Sequence, residues 1–248
     1  MTERSPEPRP DAPLVVFDFD HTLYDGDAGQ RLITWLLRRN PLRALAALAL
    51  SPLLGPMLAF LPTRRHAIGA YLWVGTFGLH DYRDLNALID RYVDDQAARL
   101  RAALLPVAFA VFDRHVTAGD RVVIATGAPP ELVHAILALA ERAPLPVVGS
   151  HEAPRLGGLV TVDHCHAENK LRCLERKGYR VADIAVAYSD STADLPLLRA
   201  ARAPVVVNPT ASGMRLFARE LPPGTPMLNW GCRHRLGTPV AAAAQEAA

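Results

Sequence analysis

The chain has 248 residues, half of them apolar and 21% charged, with a formal net charge of +2 at neutral pH. That length allows one sizeable core with an insertion, and the small net charge carries no global nucleic-acid signature, so no nucleic-acid partner is expected. Three cysteines (Cys165, Cys173 and Cys232) make no CxxC pair and are odd in number, which points to a reducing compartment rather than a disulfide framework.

Residues 1–13 are Pro-rich and charged, lack the apolar stretch of a signal peptide, and are expected to be a disordered tail. Leu14 to Phe19 reads as the first strand, buried in a parallel sheet. It carries Asp18 and Asp20, whose spacing places both side chains on one face of a strand. A polar turn, Tyr24-Asp25-Gly26-Asp27, leads into a helix from Ala28 to Arg39, which Pro41 interrupts.

Ala44 to Thr63 has no charged residue in 20 positions. Arg38, Arg39 and Arg43 precede it, and Arg64, Arg65 and His66 follow. A helix of that length spans about 30 Å, enough for a hydrocarbon core, but Pro52, Gly55 and Pro56 are expected to break its middle. A single crossing would also separate Asp18 from any partner beyond residue 120. Basic residues at both ends suit two ends on one cytoplasmic face. The reading is a helical hairpin that dips into the membrane or lies on its surface, the basic flanks against anionic headgroups. The alternative is an apolar helical pair buried within a cap. Residues 67–115 read as helical, with amphipathic spacing over Asp84 to Leu105.

The sheet resumes with a strand at Arg121 to Ala125. Thr126-Gly127-Ala128-Pro129-Pro130 then turns into a helix from Glu131 to Arg142. A short strand at Pro146 to Gly149 and a hairpin arm at Leu159 to Val162 follow. Then come a helix at Asn169 to Lys177, a strand at Ile184 to Tyr188, a helix at Leu195 to Ala201 and a strand at Pro204 to Val207. No structure is assigned after about Arg219. The alternation predicts an α/β fold, a doubly wound parallel sheet with an α-helical cap insertion. The expected division is a core of 14–27 and 117–220, a cap of 28–116 with its membrane-docking segment at 44–63, and a tail of 221–248.

Four elements fall at strand ends: Asp18/Asp20, Thr126-Gly127, Lys170 and Asp190/Asp194. Each suits phosphoryl transfer, which depends on positioning and charge neutralisation. Asp18 is the candidate nucleophile, attacking phosphorus to give an aspartyl-phosphate. Asp20 is the candidate general acid and then base, and its main-chain carbonyl is a further metal contact. Asp18, Asp20 and Asp190 form the candidate metal set, with Asp194 binding the ion or supporting it; oxygen donors favour Mg²⁺. Thr126 and Gly127 offer a hydroxyl and an unhindered N–H to a phosphoryl oxygen, beside a helix N-terminus. Lys170 neutralises charge, with Lys177 as its competitor. His164-Cys165-His166 suggests zinc, but no second ligand pair lies at a suitable spacing, and a solvated loop is expected. A non-enzymatic scaffold would have no use for mutually repelling carboxylates.

These elements, Asp18-Phe19-Asp20-His21-Thr22-Leu23, Ala125-Thr126-Gly127, Lys170 and Tyr188 to Asp194, resemble the haloacid dehalogenase superfamily of phosphatases over residues 13–210. His21 and Ser189 stand where many members carry Gly. The helical insertion resembles the phosphoserine-phosphatase-like branch (subfamily IB). Leu36 to Leu42, the apolar segment, Tyr71 to Gly78 and Thr126 to Val133 are similar to the phosphatidylglycerophosphatase C family. That resemblance implies a Mg²⁺-dependent phosphomonoesterase removing the terminal phosphate of phosphatidylglycerophosphate at the cytoplasmic face of the bacterial inner membrane. The alternative is a cytoplasmic enzyme for a small phosphomonoester such as phosphoserine. Arg64, Arg65 and Arg155 are candidates for reading the headgroup.

Overall fold

Strand β1, Leu14–Phe17, is apolar and buried at every position, as a strand covered on both faces must be. The remaining strands are β2 (Arg121–Ala125), β3 (Val147–Val148), β4 (His151–Arg155), β5 (Gly158–Asp163), β6 (Ile184–Ser189), β7 (Ala203–Val207) and β8 (Met227–Leu228). In the computed structural model, which describes residues 12–142 and 145–233, six of them form one sheet in the order β3-β2-β1-β6-β7-β8. Every pairing in it is parallel. The fold is α/β with a doubly wound parallel sheet. Alternate residues of β1 feed opposite faces: Val15 and Phe17 join one apolar layer, Leu14 and Val16 the other. The tail expected at 1–13 lies outside the described residues except for Ala12 and Pro13, and Ala12 is buried.

Between β1 and β2 lie five helices: α1 (Ala28–Arg38), α2 (Pro41–Ala59), α3 (Leu61–Thr76), α4 (Tyr82–Arg101) and α5 (Pro106–Ala118). Asp27 caps α1 by accepting from Gln30 N–H. A capping box of Asp81 and Asp84 starts α4, whose expected apolar stripe, Leu85, Leu88, Ile89, Tyr92 and Val93, is buried.

The apolar segment departs from expectation in one respect. Helix α2 runs unbroken through Pro52 and Pro56, and the hairpin turns at Phe60, which is extended (φ −99°, ψ 116°). Pro52 lacks the N–H that would bond Leu48 O, but the Ser51 hydroxyl donates to that carbonyl at 2.7 Å, which offsets the helix-breaking cost. The turn is closed by Thr63, whose hydroxyl donates to Met57 O at 3.0 Å. Because the break is at Phe60, Arg64 and Arg65 lie at the tip of the hairpin and Arg43 at its base. The basic flanks therefore do not share one end. Arg43 donates to the carbonyls of Gly75 (2.8 Å) and Phe77 (2.6 Å), so it locks the hairpin at the end of α3 and does not face outward. Nor is α2 buried in a cap: Leu54 is its one buried residue, while Leu45, Leu48 and Leu53 are 63–68% exposed.

The later helices are α6 (Pro130–Ala138), α7 (Glu168–Arg176), α8 (Leu195–Ala200) and α9 (Ala211–Glu220). Strands β4 and β5 form an antiparallel hairpin off the main sheet that packs on α3. Leu159 N–H donates to Thr76 Oγ1 at 2.9 Å and Trp73 Nε1 donates to Arg155 O at 3.0 Å. Gly158 permits this approach, since a Cβ there would lie 2.8 Å from Trp73 O. The stretch after Arg219, read as structureless, supplies β8, which pairs with β7 over two residues, and buries Trp230 and Cys232. A two-residue edge strand between Pro and Gly shows no period to read.

Candidate active site

The site forms at the carboxyl ends of β1, β2 and β6, the ligand-binding edge of a parallel sheet. Asp18 N–H donates to Tyr188 O at 2.9 Å, which extends the β1–β6 ladder by one residue and sets Asp18 beside Ser189 and Asp190. Lys170, in the first turn of α7, crosses beneath. Its ammonium donates to Asp18 Oδ1 at 2.8 Å and Asp194 Oδ2 at 2.6 Å, and Ser189 Oγ donates to the same Asp194 oxygen at 2.7 Å. Lys170, Asp18, Asp190 and Asp194 are all buried. Lys177 is exposed, so the competition between the lysines is decided by where α7 begins. Asp20 accepts from Ala28 N–H at 2.7 Å, at the N-terminus of α1.

Electrostatics divide the carboxylates. Burial raises Asp18 to about 6 against the pull of Lys170. Asp20 is held well above the ordinary carboxylate value by burial, then by the charges of Asp27, Asp18 and Asp190. That shift favours its protonated form. Burial opposes the Lys170 ammonium, but Asp18 and Asp194 outweigh that and hold it above the ordinary lysine value.

Thr126 is fully buried, and its hydroxyl accepts from Ala128 N–H at 3.1 Å, so its own proton is left to donate. A Cβ on Gly127 would come no nearer than 3.9 Å to another residue, Cys165 O. Packing within the chain does not demand glycine there.

Whether the residues fit a divalent cation can be judged from charge and donors. Asp18 and Asp194 share the Lys170 ammonium, and the charges of Asp18 and Asp190 act on Asp20 beside them. Asp194 Oδ1 is buried without a hydrogen-bond partner among the described residues. An all-oxygen donor set with surplus negative charge fits a hard ion such as Mg²⁺.

His164-Cys165-His166 is the loop expected, with His166 exposed and His164 half-buried, but its central residue turns inward. Cys165 is fully buried, its N–H bonded to Ser150 Oγ at 3.0 Å, and burial pushes its thiol above the ordinary value. The flanking rings stand at the rim. Burial, His166 and the Arg65 charge hold His164 down to about 4. Burial lowers His166, with Lys170 and Arg64 acting the same way and Asp194 and Asp27 opposing. Helix and strand geometry brings α3 there: Thr76 and Trp73 meet β5 at Leu159 and Gly158, and α3 runs back along β5. About eleven helical residues and five strand residues climb similar distances, roughly 17 Å, so Arg64 and Arg65 reach the His164 end.

Three contributors carry little signal in the sequence. Ser189 was visible only as a motif residue. Asp27, the α1 cap, raises Asp20 through space. Asn208, at the end of β7, has φ +46°; its Nδ2 donates to His21 O at 2.7 Å and its Oδ1 accepts from Trp230 N–H at 2.7 Å. An Asn-Pro step just past a strand was the available signal.

Carboxylates and a lysine gathered at the strand ends of a parallel sheet are the site of a hydrolytic enzyme. The chain belongs to the haloacid dehalogenase-like hydrolase family, whose model matches residues 15–199. Its fold is shared with a protein with unknown function from Bordetella pertussis Tohama I, 24% identical over 88% of this chain and 98% of that one (TM-score 0.67). It is also shared with cytosolic 5'-nucleotidase IIIB bound to cytidine, 13% identical over 89% and 80% (TM-score 0.56). A substrate-bound phosphoserine phosphatase is 15% identical over 82% and 90% (TM-score 0.51).

Proposed function

We propose that this hydrolase is a Mg²⁺-dependent phosphomonoesterase working through an aspartyl-phosphate on Asp18. The observation that carries this reading is Lys170 Nζ held between Asp18 Oδ1 and Asp194 Oδ2, beside an Asp20 carboxyl held above the ordinary carboxylate value. An Asp18 oxygen attacks phosphorus in line, and the bond to the ester oxygen breaks as Asp20 gives that oxygen its proton. Asp20, now a base, takes a proton from water. The water oxygen attacks phosphorus, phosphate leaves, and Asp18 is regenerated. Lys170 offsets the charge on the nucleophile, and Thr126 with the Gly127 N–H and the α6 N-terminus holds the phosphoryl oxygens. Asp18, the Asp20 main-chain carbonyl and Asp190 would hold Mg²⁺, with Asp194 behind them. When bound, the ion neutralises phosphoryl charge.

The substrate we propose is a lipid phosphate, phosphatidylglycerophosphate, dephosphorylated to phosphatidylglycerol at the cytoplasmic face of the inner membrane. Helix α2 supports it. Among the described residues it is the one helix long and apolar enough, by length and composition, to cross a membrane. It is apolar on every face and twelve of its nineteen residues are exposed, and such a helix needs an apolar surround. The hairpin tip carries Arg64 and Arg65 beside the site. Tip-first insertion would bury them, so α2 lies along the interface, with the site opening at headgroup level. A soluble metabolite such as phosphoserine is the second reading; the shared fold of a phosphoserine phosphatase favours it.

Phosphate release by purified protein with Mg²⁺ tests both readings. Phosphatidylglycerophosphate in detergent is expected to be turned over at least ~100-fold faster than phosphoserine in kcat/KM; the reverse order overturns the lipid assignment. Asp18→Asn is expected to lose at least ~10³-fold in kcat together with a hydroxylamine-labile phosphoenzyme. A phosphoenzyme that survives the substitution would remove Asp18 as nucleophile.

A further inference from the structure

A second group of metal-ligating side chains stands apart from the carboxylate and lysine centre. His21, Asp25 and Cys232 each place one ligand atom within 4.8 Å of the others. Cys232 Sγ lies 3.0 Å from Asp25 Oδ1 and 3.6 Å from His21 Nδ1. Cys232 is 0% exposed and Asp25 is 7% exposed. The ligands come from chain segments more than 200 positions apart, and Asn208 clamps both: it bonds the carbonyl of His21 and the N–H of Trp230, two residues before Cys232. The donors are thus preorganised by a group that is not itself a ligand.

We infer that His21, Asp25 and Cys232 form a binding site for a thiophilic divalent cation, with Zn²⁺ the fitting ion. One sulfur, one ring nitrogen and one carboxylate oxygen suit borderline Zn²⁺ and not Mg²⁺, which takes oxygen alone. Bond lengths of about 2.3 Å to sulfur and 2.0–2.1 Å to nitrogen or oxygen place neighbouring ligands of a tetrahedral ion roughly 3.5 Å apart. The sulfur–nitrogen distance already has that value, and the sulfur–oxygen pair opens slightly when the ion replaces the thiol proton. Binding releases that proton to solvent, and thiolate plus carboxylate balance the ion's two charges. Among the described residues the ion has these three protein ligands. The ion would tie the segment after β8 to the loop that carries Asp20.

The test uses Co²⁺ as a spectroscopic probe, added to the purified full chain in excess Mg²⁺. The expected result is one Co²⁺ per chain with a thiolate-to-cobalt charge-transfer band, displaced by Zn²⁺. The band is expected to vanish in Cys232→Ser and to persist in Cys165→Ser, Cys173→Ser and Asp18→Asn. No band in the wild-type chain, or an unchanged band in Cys232→Ser, overturns the assignment. Should Cys232→Ser fail to fold, Asp25→Asn keeps the thiol and is expected to bind Co²⁺ at least ~10-fold more weakly; unchanged affinity overturns the site. Asp18→Asn also separates this proposal from the catalytic reading, since the two sites share no ligand side chain.

Discussion

Lys170 Nζ sits 2.8 Å from Asp18 Oδ1 across 152 positions of sequence, with both side chains buried. The contact is possible because β1 pairs with β6 up to Phe17 and Tyr188 and α7 begins just where its first turn can reach under their ends. Removing one partner leaves a buried charge without its counter-ion, and that penalty exceeds the worth of the pair.

Lys170→Met is therefore expected to cost about 3–5 kcal/mol in Mg²⁺-free buffer, read from the shift in the urea midpoint at constant slope. Asp18 and Asp194 would face each other without the ammonium between them. An unchanged midpoint would mean that the pair is not closed in solution. Added Mg²⁺ is expected to recover part of the loss, because it supplies positive charge to the same carboxylates.

Glu152 predicts a pH dependence of stability. It is buried, and burial, aided by the Glu131 charge, raises its carboxyl to about 8. Between the unfolded value near 4.5 and about 8, the folded chain keeps a proton that the unfolded chain has released. Its contribution is therefore full below the lower value and declines as pH rises through the window, by at most about 1.4 kcal/mol per unit. Glu152→Gln is expected to flatten the fall in Tm between pH 5 and 8 and to be the more stable protein at pH 8. A parallel pair of Tm profiles would refute this.

Two glycines give opposite expectations. In Gly158→Ala, the new methyl lies 2.8 Å from the backbone oxygen of Trp73, which cannot move without shifting α3, and overpacking of this kind costs about 1–3 kcal/mol. Gly69, within α3, would meet nothing within 4 Å, so Gly69→Ala is expected to stabilise by up to about 1 kcal/mol through helix propensity. Thermal melts of the two variants should move in opposite directions.

The docking role of α2 is tested at residues that touch little else. Replacing Leu45, Leu48 and Leu53 together by Asn removes three exposed leucines, each worth about 1.5–3 kcal/mol when buried. Co-sedimentation with anionic vesicles is expected to fall at least ~100-fold, with unfolding free energy changed by no more than about 0.5 kcal/mol per site and hydrolysis of a soluble chromogenic phosphate retained. Undiminished vesicle binding would exclude α2 as the anchor.

Features that depend on neighbours in the chain are legible in its residues alone. The apolar run before Asp18 had to be a buried strand, and the alternation of strands with helices had to close into a parallel sheet. The four polar clusters then fell at its carboxyl edge in the order observed. The stripe of α4 was equally legible, because a helix period of 3.6 is written in successive residues. Tertiary structure alone decided what depends on distance through space. It chose Lys170 over Lys177 by the start of α7, carried the apolar helix through Pro52 and Pro56 to a turn at Phe60, and swung Arg43 inward. It also added a two-residue strand from a Pro/Gly-rich stretch and brought Cys232 to His21 and Asp25. Local spacing fixes the direction of a side chain relative to its own helix or strand. Which distant group that side chain meets is set by strand register and helix docking, and no periodicity along the chain records those.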